Sequence, residues 1–485
     1  MYFRRIVVLI GLMALAGSSA FCQERIVSAD MLPREHWSYD AMAYLAAQGF
    51  VPDRNARFFQ GDYLLDELEM AREIRRVVAA NEEWSSRELR LLSRLALQFR
   101  SQLLYLGVST ADIDALLQTT ADNHIIASGY VRPLLRLSDG DVSILGTYEA
   151  NALAPFGSRG LVAATLSTAD REYRANPEDF PNISKLLIKW LGDNHEWQVG
   201  RDYLHWGPGY SGSMTLSDNA PAFDFARFRG DFGFGRRIGR IQITQVVAPF
   251  KDGENDFWFL GRRWQKTFSD YFNMGINETV KTGKRPRPTV LVIPSLYWYQ
   301  HIYLDELDLV WNNLVSLDAA YRTGTGNKFY GELVVDDMTA PSAVGAGFKR
   351  PRKAGLMVGA YFPNAVGSGR TSIRVEGIIV DPETYLAARD EFPEIDYFRG
   401  GYSIGHPVGS DAEALFLRVT HKATSQLDLV AEYLAARKKS DKTRDHAANL
   451  LLVYNQNDRL STSLRWREFR GSPDERLEFT ASYAF

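Results

Sequence analysis

The chain is poor in cysteine, in net charge and in long apolar runs. It carries 1 Cys in 485 residues. That excludes a disulfide framework and any zinc site built on cysteines. Lys and Arg number 56 against 59 Asp and Glu, a formal net charge of -3. A dedicated nucleic-acid binder would show a basic excess, so no nucleic-acid partner is expected. Past the first 22 residues, no window holds the roughly 20 apolar residues that a spanning helix needs. Aromatic residues are abundant instead: 23 Tyr, 27 Phe and 10 Trp. That content suits a membrane interface or a sugar-handling protein better than a cytosolic enzyme.

The first residues predict an export signal. Arg4 and Arg5 precede the apolar run Ile6 to Ala16, and small residues Gly17 to Ala20 come next. Cleavage is expected after Ala20 or after Cys22. The bulky Phe21 weakens a lipoprotein reading of Cys22. An exported chain with no spanning helix is secreted, periplasmic or an outer-membrane barrel.

Residues 23–122 have helical spacing. Helices are predicted over 40–48, closed by Gly49, over 65–80, over 85–106 and over 109–119 with Ser109 or Thr110 as N-cap. The stretch Leu32 to Trp37, Tyr44 to Val51, Phe59 to Tyr63 and Glu69-Met70-Ala71 resembles an S-layer homology module, placed at 27–80. That resemblance implies binding of peptidoglycan or another wall polymer. The sequence departs from the family's Thr-Arg-Ala-Glu motif, since Asp66, Glu67 and Leu68 precede Glu69. The other reading is a small periplasmic domain that packs on, or plugs, the rest of the chain.

From residue 123 onward the periodicity changes from helical to two. Segments of about ten residues alternate between apolar and polar, as strands between lipid and a wet lumen must. In Arg476 to Phe485, the residues Leu477, Phe479, Ala481, Tyr483 and Phe485 form one face. The spacing predicts strands over 125–136, 142–153, 161–171, 184–192, 196–204, 222–230, 238–249, 256–266, 272–279, 308–322, 328–337, 354–362, 371–380, 412–421, 427–438, 449–455, 458–467 and 476–485. Backbone groups cannot stay unpaired in lipid, so such strands close into a ring. The predicted fold class is an all-β transmembrane antiparallel barrel of about 18 strands, preceded by a small α-helical domain. If both barrel ends lie in the periplasm, the long segments 205–221, 280–307, 338–353 and 381–411 all fall outside.

The most distinctive stretch runs from Val199 to Ser213, through Arg201-Asp202-Tyr203-Leu204-His205-Trp206-Gly207-Pro208-Gly209-Tyr210, and continues as Leu216 to Pro221. With Tyr330-Gly331-Glu332, Asp336-Asp337, Lys353-Ala354-Gly355, Gly401-Tyr402-Ser403-Ile404-Gly405-His406 and Gly409-Ser410-Asp411, it resembles the capsule-assembly Wzi family. The resemblance implies an 18-stranded outer-membrane barrel that binds capsular or exported polysaccharide, lectin-like and without catalysis or cofactor. Candidate polysaccharide-binding residues are Arg201, Tyr203, His205, Trp206, Tyr210, Glu332, Asp336, Tyr402, His406 and Asp411. Aromatic faces suit the apolar side of a pyranose, and Arg suits a carboxylate.

Other readings are weaker. Glu332, Asp336 and Asp337 offer carboxylates to a glycosidase, but lumen carboxylates more often pair with Arg across the wall. No EF-hand spacing and no G-x-S-x-G elbow is present, so neither a metal nor a catalytic residue is expected. The basic runs Lys349 to Lys353 and Arg437 to Arg444 fit a solvated rim or contact with outer-membrane lipid. A wall-anchored diffusion porin is the main alternative, and a barrel hydrolase stands behind it.

Overall fold

The computed structural model describes residues 26–80, 83–117, 125–138, 141–167, 182–252, 255–283, 285–287, 296–297, 311–336, 353–387, 395–470 and 476–485. The expected export signal, Asp337, the run 349–352 and most of the segment 280–307 lie outside the described residues.

All eighteen expected barrel strands are present. They are β1 (Ile126–Ser138), β2 (Asp141–Phe156), β3 (Gly160–Ser167), β4 (Asn182–Leu191), β5 (His195–Asp202), β6 (Phe223–Gly233), β7 (Arg240–Asp252), β8 (Asn255–Ser269), β9 (Phe272–Thr282), β10 (Trp311–Arg322), β11 (Lys328–Asp336), β12 (Ala354–Phe362), β13 (Thr371–Val380), β16 (Ala412–Lys422), β17 (Leu427–Lys438), β18 (Arg444–Asn455), β19 (Leu460–Arg470) and β20 (Arg476–Ala484). The remaining two, β14 (Phe398–Arg399) and β15 (Tyr402–Ser403), form a ribbon in the loop before β16. Each barrel strand pairs antiparallel with its neighbour in sequence, and β1 pairs with β20 to close the ring. Gly129 and Phe485 exchange both backbone hydrogen bonds at that seam. A Cβ on Gly129 would meet the Glu149 carbonyl at 2.2 Å and the Phe485 ring at 2.8 Å, so the closing aromatic needs glycine there.

Alternation decides which face each residue takes. On β20, Leu477, Phe479 and Tyr483 are exposed outward, while Glu478 and Ser482 are buried inward. Every loop after an odd member of the barrel series faces the end that carries the long segments. The turns at the other end are short, from 270–271 to 363–370.

The helical segment caps the short-turn end and enters the lumen. Its helices are Trp37–Ala47, Glu67–Ala80, Ser86–Gln98, Arg100–Tyr105 and Thr110–Leu117, with a 3-10 turn at Ala56–Phe59 that the spacing does not reveal. The helix expected over 85–106 breaks at Phe99, which leaves helical geometry and buries its ring edge-on to His36. Ser109 takes the capping role, accepting from the Asp112 N–H at 3.1 Å. Arg94 donates to the carbonyls of Phe156, Gly157, Ser158 and Gly160 in one turn. Arg100 pairs with Asp193, Tyr105 bonds the Asp270 carbonyl and Arg459 bonds the Ala47 carbonyl. One apolar core therefore runs from Trp37, Leu45 and Leu95 into Leu153, Leu161 and Leu187 of the wall. The helical segment thus packs on the barrel and reaches into its lumen.

Charge pairs rivet plug to wall. Lys185 meets Asp40 at 2.5 Å, Arg229 meets Glu67 at 2.9 Å, and Arg322 and Lys328 meet Asp66 at 3.2 and 3.1 Å. Arg263 holds both Asp30 and Asp318. Burial pushes the Asp40 carboxyl up to about 7 against the pull of Lys185, and pushes Asp30 up to about 6 against Arg263. A carboxyl raised on folding binds more protons in the folded state, so stability falls as pH rises through the window from about 4 to 7. Asp62 and Asp66 are held well below the ordinary carboxylate range and change nothing in that window. The buried His36 works the other way, since burial and Lys189 push its pKa well down and charging it as pH falls costs stability. On balance the plug is expected to dock more firmly at pH 5 than at pH 8, by roughly 1–2 kcal/mol, since one pKa unit is worth about 1.4 kcal/mol. Hydrogen exchange of residues 37–47 at the two pH values measures this, and Asp40→Asn should flatten most of the difference.

Candidate functional site

The distinctive stretch folds inward. After β5, residues 203–222 turn into the lumen instead of rising from the rim. Local chemistry begins the turn: the Tyr203 N–H bonds its neighbour Asp202 at 2.9 Å. Gly207 has φ 112°, and a Cβ there would lie 3.1 Å from Glu332 and 3.2 Å from Ser213. Gly209 passes within 2.1 Å, measured from such a Cβ, of the Gly212 carbonyl. The glycines thus permit a path that side chains would block.

Two carboxylates of the wall then hold the loop. Glu332 on β11 accepts from the N–H groups of Met214 and Thr215 at 2.8 and 3.0 Å and from the Ser213 and Thr215 hydroxyls. Glu376 on β13 accepts from the Tyr210 and Ser211 N–H groups at 2.7 and 2.9 Å, and from the hydroxyls of Ser211 and Tyr330. These four backbone donors lie outside the strand ladders, and the carboxylates satisfy them.

The described parts of a second loop, 381–387 and 395–411, close over the first. Tyr385 and Tyr397 stack with centroids 5.9 Å apart, and their hydroxyls donate to the Met214 and Thr215 carbonyls. Tyr385 adopts φ 76°, a left-handed strain held by its N–H bond to Asp336 at 2.7 Å. His406 lies 3.3 Å from the Ser211 hydroxyl. Burial pushes the His406 pKa down to about 4 against the pull of Glu376, so the ring is neutral at physiological pH.

The ten candidate residues therefore fall into three places. Tyr203, His205, Trp206, Glu332, Asp336 and His406 are buried in the double-loop core. Trp206 covers Gly261 of β8, where a Cβ would meet the indole at 2.6 Å, and it bridges Leu216. His205 sits 3.7 Å from Asp218. Tyr210 stacks on Phe416 at 5.8 Å, beneath the Arg374 guanidinium at 4.5 Å, and borders a cavity. Arg201, Tyr402 and Asp411 lie at the long-loop rim. Arg201 forms a two-bond pair with Asp224 on the outward face, at 2.7 and 2.8 Å. Asp411 takes φ 57° and accepts from Ser440 in the next turn. Tyr402 is half-buried in the ribbon.

Sequence reasoning missed Glu376, Tyr385, Tyr397 and Arg399. Glu376 had a signal: Arg374 and Glu376 share a face in the otherwise apolar stretch 373–380 of β13. Arg399 packs 4.4 Å over Phe223 and donates to the Pro221 and Ala222 carbonyls, tying the ribbon to the first loop. No local pattern distinguishes it.

Between the plug and the wall of β1 to β4 and β16 to β20 lies a cavity of about 500 Å³. Its lining is mostly polar and charged, with Tyr210, Ser211 and Phe416 on one side.

Comparisons fit this architecture. A sequence profile described as "Capsule assembly protein Wzi" matches residues 182–473. The structure is similar to Wzi of Escherichia coli, described as an outer-membrane protein involved in group 1 capsule assembly and a carbohydrate-binding β-barrel. The identity is 15%, the TM-score 0.58, and the alignment covers 94% of this chain and 99% of that one. It is less similar to OccK11 (OpdR) of Pseudomonas aeruginosa, at 12% identity and TM-score 0.45 over 75% of this chain and 96% of that one. No curated protein sequence matches the chain.

Proposed function

The chain belongs to the capsule-assembly Wzi family, and from that premise we propose that it is a non-enzymatic outer-membrane barrel that binds exported polysaccharide and holds it at the cell surface. The helical plug then faces the periplasm and the long loops face outward. One observation carries the reading beyond membership: the lumen is filled from both ends. Residues 26–66 enter from the short-turn end and 203–222 from the other, and they meet where the Met31 N–H bonds the Gly207 carbonyl at 3.1 Å. A lumen packed in this way does not favour the diffusion porin.

Chemistry at the carboxylates supports a binding role. Glu332 and Asp336 are 1% and 3% exposed, and their hydrogen bonds hold backbone in place. A glycosidase needs two carboxyls facing a sugar. Contact with polymer falls to the rim and to Tyr210, while the buried aromatics set the shape of the loop pair. Wall binding through 27–80 is not part of the reading, because Asp66 and Glu67 of the motif region are engaged by wall cations.

The test is retention of the host's own polysaccharide by purified, detergent-folded protein. Wild type is expected to retain it, and Arg201→Ala with Tyr402→Ala to weaken retention by roughly tenfold, as loss of a few interface contacts typically does. Trp206→Ala should weaken it further by collapsing the loop. No retention by wild type would sink the proposal, and steady conductance in planar bilayers would put the porin in its place.

A further inference from the structure

Residues 26–34 precede the first plug helix, and their backbone is bonded by the wall, the plug and the inward loop at once. Thr267 of β8 accepts from the Val27 N–H at 2.9 Å, and Asn273 of β9 donates to the Val27 carbonyl at 2.9 Å. Arg322 of β10 and Lys328 of β11 donate to the Ser28 and Ala29 carbonyls at 3.1 and 2.7 Å. The Asp30 carbonyl accepts from the Glu67 N–H, and the Leu32 N–H donates to the Leu65 carbonyl. Two further donors go to the loop. The Met31 N–H bonds the Gly207 carbonyl at 3.1 Å, and the Arg34 N–H bonds the Asp218 carboxylate at 3.0 Å.

The apolar side chains divide within this entry segment. Ala29 joins the cluster of Leu204, Trp206, Met214 and Leu216, and Met31 joins Tyr210, Leu64 and Phe416. Leu32 belongs instead to the plug core with Trp37 and Leu45. The chain therefore passes from the loop's packing to the plug's packing between Met31 and Leu32. Its two bonds to the loop are also well placed. Trp206 and Leu216 pair across the neck of the loop. Gly207 and Asp218 lie on the two legs beside that neck, so the entry segment grips both legs. Glu332 and Glu376 hold the tip between them, residues 210–215. The wall carboxylates thus fix the tip, and the entry segment fixes the neck.

We propose that residues 29–34 position the polysaccharide-binding loop from inside the lumen and couple it to the plug, so that polymer bound outside tightens the plug on the periplasmic side. The inference rests on the polysaccharide-binding reading and adds to it a positioning element and a second, coupled face. The segment acts through Gly207 and Asp218, not on the polymer itself. Linkage makes the coupling reciprocal: if the docked plug favours polymer binding by some factor, polymer favours docking by the same factor.

Hydrogen exchange and retention on the full-length protein in detergent test this, with the host's own purified polysaccharide as the probe. Saturating polysaccharide is expected to slow exchange in 26–36 and in the helix 37–47 by about fivefold, the order that one net hydrogen bond carries. Met31→Pro removes the N–H that Gly207 accepts. The bridge of Met31 to Asp66 survives, because its bonds are made by the N–H groups of Leu32 and Glu67. This variant should weaken retention by about fivefold and speed cleavage within 203–222. Met31→Leu keeps both the N–H and the apolar volume and should match wild type. Arg94→Ala acts from the far end of the plug. Arg94 holds carbonyls at the turn between β2 and β3 and makes no bond to the loop. It should nevertheless weaken retention by a similar factor, with heat-modifiable gel migration of the barrel unchanged. A purely structural neck would not respond to polymer or to Arg94. Unchanged exchange under saturating polysaccharide that wild type retains would overturn the coupling and leave the surface reading standing. So would an Arg94→Ala protein whose helix 37–47 exchanges faster while its retention equals that of wild type. Met31→Leu as weak as Met31→Pro would overturn the role of the Gly207 bond. If wild type retains no polysaccharide, the surface reading fails and the coupling with it.

Discussion

Glu332→Ala is expected to free the loop at 203–222 from the lumen while the barrel stays closed. The carboxylate satisfies two backbone N–H groups, of Met214 and Thr215, and the hydroxyls of Ser213, Thr215 and Ser316, all buried. A buried donor left without an acceptor costs about 1–3 kcal/mol, so the loop should lose roughly 3–5 kcal/mol of local stability. The strands keep their ladders, because Glu332 pairs with Asp318 and Met357 through backbone alone. Glu332→Gln should fall between wild type and Ala. Its amide retains one acceptor but turns a donor toward donors. Limited proteolysis reads the outcome: cleavage within 203–222 should rise steeply in the Ala variant, with heat-modifiable gel migration of the barrel unchanged. Undiminished protection would show that the loop is held otherwise. Glu376 anchors the preceding residues Tyr210 and Ser211, so the double variant should expose the whole loop and the single variant mainly its second half.

The barrel was legible because its information is local. Each strand states its two environments in alternate residues, so all eighteen could be read one at a time. The strand ends drifted by a few residues because the alternation continues into turns, as at β18, which begins at Arg444 rather than 449. Helices of the plug were legible for the same reason at a different period. Their docking was not, since Asp40 finds Lys185 across 145 positions. The site shows the same division. Trp206, Tyr210 and the glycines mark an unusual loop, but whether it folds in or out is decided by Glu332 and Glu376, 117 and 166 positions away from the N–H groups of Thr215 and Tyr210. Trp206 read alone is a sugar platform. In the fold its indole lies over Gly261 and is buried.

Asp62→Ala is expected to loosen the strap 55–66 that carries the plug's inner end. Asp62 lies between Arg57 at 2.7 Å and Arg465 at 2.5 Å, and its carbonyl accepts from Arg418. Burial alone would raise its pKa, but Arg57, Arg465 and Arg132 outweigh burial and hold it well below the ordinary carboxylate range. A carboxyl depressed in this way contributes stability that is present above about pH 4 and is lost only as pH falls through the folded value. At neutral pH the whole contribution is therefore at stake. Removing one partner from a buried charge cluster costs about 3–5 kcal/mol, because the others remain buried and uncompensated. Here two guanidiniums would face each other beside Arg132. Amide exchange in 55–66 should accelerate accordingly, while exchange in β19 stays slow. The sharper comparison is the triple replacement Arg57→Leu, Asp62→Leu and Arg465→Leu. Buried ion clusters exchanged whole for apolar groups are often neutral or stabilising. The triple variant should thus recover most of the protection that Asp62→Ala loses. If the triple variant is as loose as the single one, the strap is not held by balanced charge, and the apolar contacts of Tyr63 with Val430 and Leu451 would have to hold it instead.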